Sequence, residues 1–332
     1  MSAQCACGNT HHPGVPTPTN YHEMQAVTTI INPATVGKDE EKVLVFQSLK
    51  QNGTLGFEQL PAQKTELKSQ SWGSVYGNYD ENPSPLTPVL KYKSNLVSLV
   101  INDIVHVYGV AAHTGAISLL SPVFQRLGQA DVDKDLRGKI AGCGNGKDKG
   151  WIYFQRFDKA QSKYLIYEKS LNKVGERPVE VKNTDNSKKD TDMVAFFDGK
   201  RRWVAYQSTK MFRGREESNI QLVCVDTGAS DNIPSSAHKI DNQLVEFSAC
   251  NAVRDGKNKI FIYFRGQGDE LFWSASETAD GKISFSEPLS LTEQTILTGY
   301  ASLSVLPAAK GIMIYCIKDG GEGLEAFLDP WA

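Results

Sequence analysis

Three clusters in this sequence have residue types and spacing that could do chemistry. Cys5, Cys7, His11 and His12 offer thiolate and imidazole ligands of the kind a zinc ion takes. They fall in a Pro/Thr-rich opening that reads as a flexible tail over residues 1–25. The run "DVDKD", Asp131 to Asp135, alternates carboxylates like the start of a calcium loop, but the glycine and the distal glutamate such a loop needs are not in place. It reads as a solvated loop. The run "AGCGNGKDKG", Ala141 to Gly150, looks faintly like a phosphate loop. Ala141 stands where the first glycine belongs and Asp148 where a hydroxyl belongs, so it reads as a turn. His22, His106, His113 and His238 lack ligand spacing, and no nucleophile elbow or paired-carboxylate signature stands out. No metal site is expected.

Bulk properties narrow the classes further. The formal net charge of −2 leaves no basic footprint for nucleic acid. No apolar run reaches the roughly 18 residues of a spanning helix, so no membrane partner is expected. The opening residues lack the charged start and apolar stretch of a secretory leader, which makes a cytoplasmic location the expectation. The six cysteines show no disulfide framework; Cys224, Cys250 and Cys316 lie in apolar runs and read as buried free thiols. The sequon Asn52–Thr54 reads as a hairpin turn. "MFRGREES", around Arg213, reads as a long hairpin turn.

These residues must be positioned by a repeat. "NKIFIYFRGQGDELFWS", Asn258 to Ser274, reads as a β-hairpin. Its first strand has five relatives: "KVLVFQ" from Lys42, "IVHVYG" from Ile104, "GWIYFQ" from Gly150, "RWVAYQ" from Arg202 and "IMIYCI" from Ile312. Each follows a run of small and apolar residues: "AVTTII", "NLVSLVI", "KIAGCG", "DMVAFF", "VEFSACNAV" and "ASLSVLPA". Each precedes a third run: "LGFEQL", "AISLLS", "YLIYEK", "IQLVCV", "ELFWSA" and "GLEAFL". A looser fourth strand often follows, as in "KISFSEP" and "RPVEVKN". The spacing of about 45 to 60 residues is blade-sized. No amphipathic helix interrupts the pattern, although "KDLRGKI" could make one turn. The expected fold is all-β, a six-bladed β-propeller of four-stranded antiparallel blades over residues 26–332. Small residues suit inner strands, which crowd at the axis. The competing arrangement is a pair of β-sandwich domains.

The repeat resembles the fungal fucose-specific lectin family, most closely in texture over "YASLSVLPAAKGIMIYCIKDGGEGLEAF", Tyr300 to Phe327. The resemblance implies a six-bladed propeller with sugar sites between blades. Each site would need an arginine in the second strand, a glutamate in the third and an aromatic ring from the neighbouring blade. Arginine and glutamate fork onto sugar hydroxyls, and the ring stacks on the apolar sugar face. Here the arginine slot holds Leu44, His106, Trp151, Trp203, Phe261 and Met313. The glutamate slot holds Phe57, Trp273 and Ala326 after the first, fifth and sixth copies.

The same scaffold is similar to that of the fungal hetero-Diels–Alderases of tropolone–sesquiterpene biosynthesis. That resemblance implies an intermolecular cycloaddition between a tropolone ortho-quinone methide and a humulene-type alkene, with no cofactor. Such a reaction needs reactants held at reacting distance in one orientation. It also gains from a hydrogen bond to the heterodiene oxygen. On this reading the catalytic candidates are His106, Arg202 and Tyr206, with Tyr153 a further donor. The substrate-binding candidates are Trp151, Tyr153, Trp203, Phe261, Trp273 and Met313. The expected partners are small apolar or aromatic substrates, with a homodimer allowed. A glycan-binding lectin with altered or degenerate sites is the alternative, and a non-catalytic interaction propeller is the fold-level default.

Overall fold

A computed structural model describes residues 24–38, 40–49, 55–62, 73–74, 90–112, 114–173, 175–240, 243–254, 256–266, 268, 270–279, 282–291, 302–317 and 324–331. The tail over residues 1–25 lies almost wholly outside them. So do Cys5, Cys7, His11, His12 and the Asn52–Thr54 sequon.

Six antiparallel sheets follow one another along the chain. The first joins β1 (Met24–Ile31), β2 (Lys42–Leu49), β3 (Leu55–Pro61) and β4 (Gly73–Ser74). The second joins β5 (Val97–Ile101), β6 (Ile104–Val110), β7 (Ala116–Ser121) and β8 (Gln125–Asp131). The third joins β9 (Ile140–Gly144), β10 (Gly150–Asp158), β11 (Lys163–Ser170) and β12 (Val179–Glu180). The fourth joins β13 (Met193–Phe197), β14 (Arg202–Phe212), β15 (Arg215–Cys224) and β16 (Ser230–Asn232). The fifth joins β17 (Phe247–Arg254), β18 (Lys257–Arg265), β19 (Leu271–Ala279) and β20 (Lys282–Phe285), with β21 (Leu289–Ser290) also on β19. The sixth joins β22 (Leu303–Ala308), β23 (Gly311–Ile317) and β24 (Leu324–Pro330).

All eighteen runs read from the sequence fall on the first three strands of these sheets. The uniform four-stranded blade does not hold among the described residues: the sheets have three to five strands. β19 is long enough to pair β20 through Ser276–Ala279 and β21 through Phe272–Trp273. A short helix, α1 (Ser236–Ile240), and a 3-10 turn at Pro33–Thr35 interrupt the strands. The expected long turn at "MFRGREES" is replaced by strand. β14 and β15 run on to a two-residue turn, Arg213 (φ 49) and Gly214 (φ 76). Positive φ at both central residues gives the turn whose twist matches a hairpin.

The inner strands β1, β5, β9, β13, β17 and β22 pack side by side, and β22 meets β1 to close the ring. Ser304 Oγ accepts from the Thr29 amide at 3.0 Å and pairs with Thr29 Oγ1 at 2.7 Å. Ser302 Oγ accepts from the Val27 amide at 3.2 Å. The first and last sheets thus satisfy each other's inner edges.

Strand alternation builds the six cores. In β18, Phe261 and Tyr263 face the sixth blade, while Ile260, Ile262 and Phe264 face the fourth. In β10, Tyr153 faces the fourth blade and Ile152 and Phe154 the second. Every middle strand is therefore apolar on both faces, which is why its sequence reads as a continuous apolar run. Each such side chain contributes on the order of 1.5–3 kcal/mol of transfer free energy, opposed by ordering entropy. Cys143, Cys224, Cys250 and Cys316 are buried free thiols in these layers.

Candidate functional site: an axial cavity and an inter-blade groove

A cavity of about 490 Å³ runs along the axis and takes its wall from the inner strands of all six blades. The small residues there keep it open: Thr28, Ser98, Gly142, Val194, Ala249 and Ser304 line it. Among the described residues its only charged lining groups are Asp192 and Glu246. They stand immediately before β13 and β17, at one end of the channel.

That end is a polar plug drawn from four consecutive blades. Lys139, before β9, reaches past the fourth blade to Glu246, Nζ to Oε2 at 2.8 Å, with both side chains buried. Asp192 Oδ1 accepts from the Met193 amide at 2.9 Å and from Asn95 Nδ2 at 3.2 Å. Asp192 Oδ2 accepts from the Phe247 amide at 2.9 Å. Asn95 also bonds both backbone groups of Ile140 at 2.7 Å. The carboxyls of Glu246 and Asp192 are close enough for each to act on the other's charge.

Burial, the largest influence, pushes Asp192 up to about 7; Lys139 opposes the rise and Glu246 adds to it. Burial, the largest influence, also works against charge on Glu246, but Lys139, Asp192 and Arg265 together outweigh it and hold this carboxyl below its ordinary value. Burial disfavours charge on Lys139 as well, and the two carboxyls overcome it and raise the ammonium. Two acids in one environment with opposite shifts form a pattern in which one keeps a proton and the other does not.

The residues in the arginine slot are structurally equivalent, and each faces the next blade. Leu44, Trp203, Phe261 and Met313 are buried in four different inter-blade cores. Trp151 packs at the edge of a fifth. His106 lies half-buried beside Tyr108, ring centroids 6.3 Å apart, its Nδ1 3.1 Å from the Ile104 carbonyl. Burial pulls the His106 imidazole below its ordinary value, the Ile104 carbonyl partly restoring it. The Tyr206 hydroxyl donates within its blade interface, to the Asn183 carbonyl at 3.0 Å and Asn186 Oδ1 at 2.9 Å. Trp273 packs at a tilt against Phe261, which also meets Trp331, with ring centroids 5.9 and 5.7 Å apart. None of these residues lines the axial cavity.

Three of the sequence candidates do meet, in the groove between the third and fourth blades. The Tyr153 hydroxyl donates to Glu168 Oε2 at 2.8 Å. Arg202, from the fourth blade, donates through Nη1 to both Glu168 oxygens at 2.6 and 2.8 Å. Its Nε donates to Asp226 at 3.0 Å, and its Nη2 bonds the same carboxylate. The guanidinium lies over the Trp151 ring, 4.9 Å from the centroid. Burial opposes the Arg202 charge, but Asp226 and Glu168 outweigh it and raise the guanidinium. Burial pushes Glu168 up in spite of Tyr153 and Arg202.

Register explains why Glu168 escaped notice in the sequence. Phe57 pairs Phe46, Trp273 pairs Tyr263 and Ala326 pairs Tyr315. The equivalent partner of Tyr153 is Glu168, so the third blade fills the glutamate position. Its arginine comes from the following blade rather than from the strand beside it. Lys139, Asp192 and Glu246 had no local signal beyond charges opening an apolar run.

No protein-family model matches the chain, and no curated protein matches it. Solved structures do. The fucose-specific lectin from Aleuria aurantia is similar at a TM-score of 0.60 and 15% identity over 94% of both chains. AofleA from Arthrobotrys oligospora is similar at 0.56 and 11%, over 93% of this chain and 88% of that one. The GH93 α-L-arabinofuranosidase of Fusarium graminearum is similar at 0.54 and 11%, over 94% and 95%. The chain is an all-β, six-bladed β-propeller that shares its fold with fungal fucose-specific lectins and with a glycosidase.

Proposed function

We propose that this protein is a small-molecule enzyme working in its axial cavity, and that its reaction is the hetero-Diels–Alder joining of a tropolone ortho-quinone methide to a humulene-type alkene. The observation that carries the reading is the distribution of space. The arginine slots hold no arginine, and five of the six side chains there pack into inter-blade cores, while one cavity of about 490 Å³ runs down the axis. That volume is of the size that receives drug-sized ligands. Its walls mix apolar side chains with serine and threonine hydroxyls, and the charged groups among the described residues stand at one end. A cavity of this size holds two reactants side by side, and a donor at one end orients the oxygen-bearing partner. Incubation of the purified protein with a quinone-methide precursor and the alkene, with products separated by chiral chromatography, tests it. Accelerated formation of one stereoisomer is expected, and Ala249→Trp, which fills the cavity, should abolish it. A product mixture identical to the protein-free control refutes it.

A second reading is favoured by one observation, the Arg202–Glu168–Trp151 groove. It gathers the arginine, carboxylate and ring of a sugar site between the third and fourth blades. Solved structures similar to this chain include a lectin in complex with α-methyl-L-fucoside. On this reading the protein is a lectin with a single altered glycan site. All the Arg202 nitrogens already serve carboxylates, which weighs against it. A glycan array with signal lost in Trp151→Ala supports it; an array at background refutes it.

A further inference from the structure

We propose that the Asp192–Glu246 carboxyl pair is the acid of the axial cavity, holding one proton that it presents to a carbonyl-type oxygen of the bound molecule. This inference rests on the reading of the axial cavity as the working site, and it names the group that would meet the ligand.

The argument begins with charge. Two buried carboxyls beside a single buried lysine would leave one negative charge unbalanced, which favours keeping a proton on the pair. Lys139 sits on Glu246 Oε2 at 2.8 Å and stabilises the anion there, which leaves the proton to Asp192. The groups facing Asp192 are Glu246 before β17, Lys139 before β9 and Asn95 before β5. Beyond them, Arg265 at the end of β18 acts on Glu246, and Arg137 acts on Lys139. With one proton aboard, the Lys139–Glu246–Asp192 set is neutral.

The second step is geometry. Both carboxyls line the cavity, and they are its only charged lining groups among the described residues. Asp192 is held by the amides of Met193 and Phe247 and by Asn95, so its orientation is fixed by three blades. Backbone capping alone requires one carboxylate. It does not account for a second acid placed against it, or for a lysine carried past a whole blade to neutralise that acid. The arrangement matches a ligand whose polar end accepts a hydrogen bond and carries no charge, such as a conjugated cyclic ketone. On binding, the Asp192 proton is donated to the ligand oxygen. Glu246 keeps Lys139, and no net charge is created.

The probe is tropone, a conjugated seven-membered ketone without an ionisable hydroxyl. Calorimetric titration should give an affinity about tenfold or more weaker near pH 8.5 than near pH 5.5, because the donor is lost as the pair ionises. Asp192→Asn keeps an N–H donor and cannot ionise, so this dependence should disappear. Independently, the infrared difference between the native protein and Asp192→Asn should show the C=O band of one protonated carboxylic acid near pH 5.5 that titrates away towards pH 8.5; Glu246→Gln serves as a second variant should that one fail to fold. Tropone bound equally at both pH values overturns the proposal alone. So does a native-minus-Asp192→Asn difference spectrum without that band. Tropone that binds at neither pH overturns the cavity reading and the proposal with it.

Discussion

Replacing Lys139 with methionine should destabilise the protein strongly, and in a pH-dependent way. The Lys139–Glu246 contact is 2.8 Å long and both side chains are about nine-tenths buried. At an effective dielectric constant of about 20, a pair at this distance attracts by roughly 6 kcal/mol before desolvation is counted. Breaking a buried pair by removing one partner typically costs about 3–5 kcal/mol, because the other charge is left unpaired. Methionine fills the lysine's volume, so little of the loss comes from a cavity. The sign with pH follows from Glu246. In the native protein its carboxyl is held below its ordinary value, so its contribution is present above the unfolded value and lost as pH falls through the folded one. Without Lys139, burial dominates and the carboxyl rises, which turns the contribution into a penalty at high pH that is relieved on acidification. Asp192 is raised in the native protein, so its contribution diminishes as pH rises towards and through about 7. The native-minus-variant difference should therefore be about 3–5 kcal/mol near pH 8 and clearly smaller near pH 5. Urea unfolding followed by tryptophan fluorescence at both pH values measures it. A loss under about 1 kcal/mol near pH 8, or one equal at both pH values, refutes the electrostatic account of the plug.

Three further perturbations probe how the blades are held. Arg202→Ala should cost about 1.5–3 kcal/mol, the range for charge-assisted hydrogen bonds, since its side chain is a fifth exposed. It should also shift Trp151 fluorescence by removing the guanidinium from the ring; an unchanged spectrum and midpoint would count against the inter-blade clamp. Gly311→Ala would place a Cβ 2.0 Å from the Asp329 carbonyl oxygen, whereas Gly175→Ala meets nothing within 4 Å. The first should destabilise by about 1–3 kcal/mol or more in thermal melts and the second by only a few tenths; equal effects would mean that the close approach of β23 to β24 is wrong. Ser304→Ala strands the buried Thr29 amide at the ring closure, and should cost about 1–3 kcal/mol in urea unfolding. A neutral result there would mean the closure does not depend on that bond.

The propeller was legible because its signal is local. A β-branched and aromatic run with a small-residue run before it needs no knowledge of distant residues, and the strands such as β2, β10 and β23 fall where those runs fall. The hairpin at Arg213 was misjudged for a local reason too. "MFRGREES" is polar, but β14 and β15 extend past the core, where Met211 and Phe212 are exposed and alternation no longer marks strand. The groove around Arg202 was only half legible. Tyr153, Trp151 and Arg202 stood out by type, but Glu168 becomes their neighbour only through the β10–β11 register and the seating of the next blade. The plug was not legible, because Lys139 and Glu246 lie 107 residues apart and meet only when the ring closes.

The plug also bears on what kind of site the ring can carry. The residue just before the inner strand is one structural position repeated around the axis. It is Asn95 in the second blade, where Leu96 is the first side chain to face the preceding blade, and Lys139, Asp192, Glu246 and Ser302 in the third to sixth. A multivalent binder gains by keeping the same side chain at each equivalent place, since every blade then offers the same contact. Here the five identities differ in size, charge and hydrogen-bonding capacity, and three of them combine into a single charged set. The arginine slot diverges in the same manner, with Leu44, His106, Trp151, Trp203, Phe261 and Met313 filling one place in six ways. A symmetric scaffold whose equivalent positions have diverged towards one another's complements can orient a single unsymmetrical molecule along its axis, which a ring of identical contacts cannot do. Exchanging Lys139 and Glu246, as the double variant Lys139→Glu/Glu246→Lys, separates the two properties. If the plug only ties blades together, the exchange should largely restore stability relative to either single variant. If it also orients a ligand at Asp192, the refolded double variant should still lose tropone affinity, because the cation then stands on the fifth blade rather than the third.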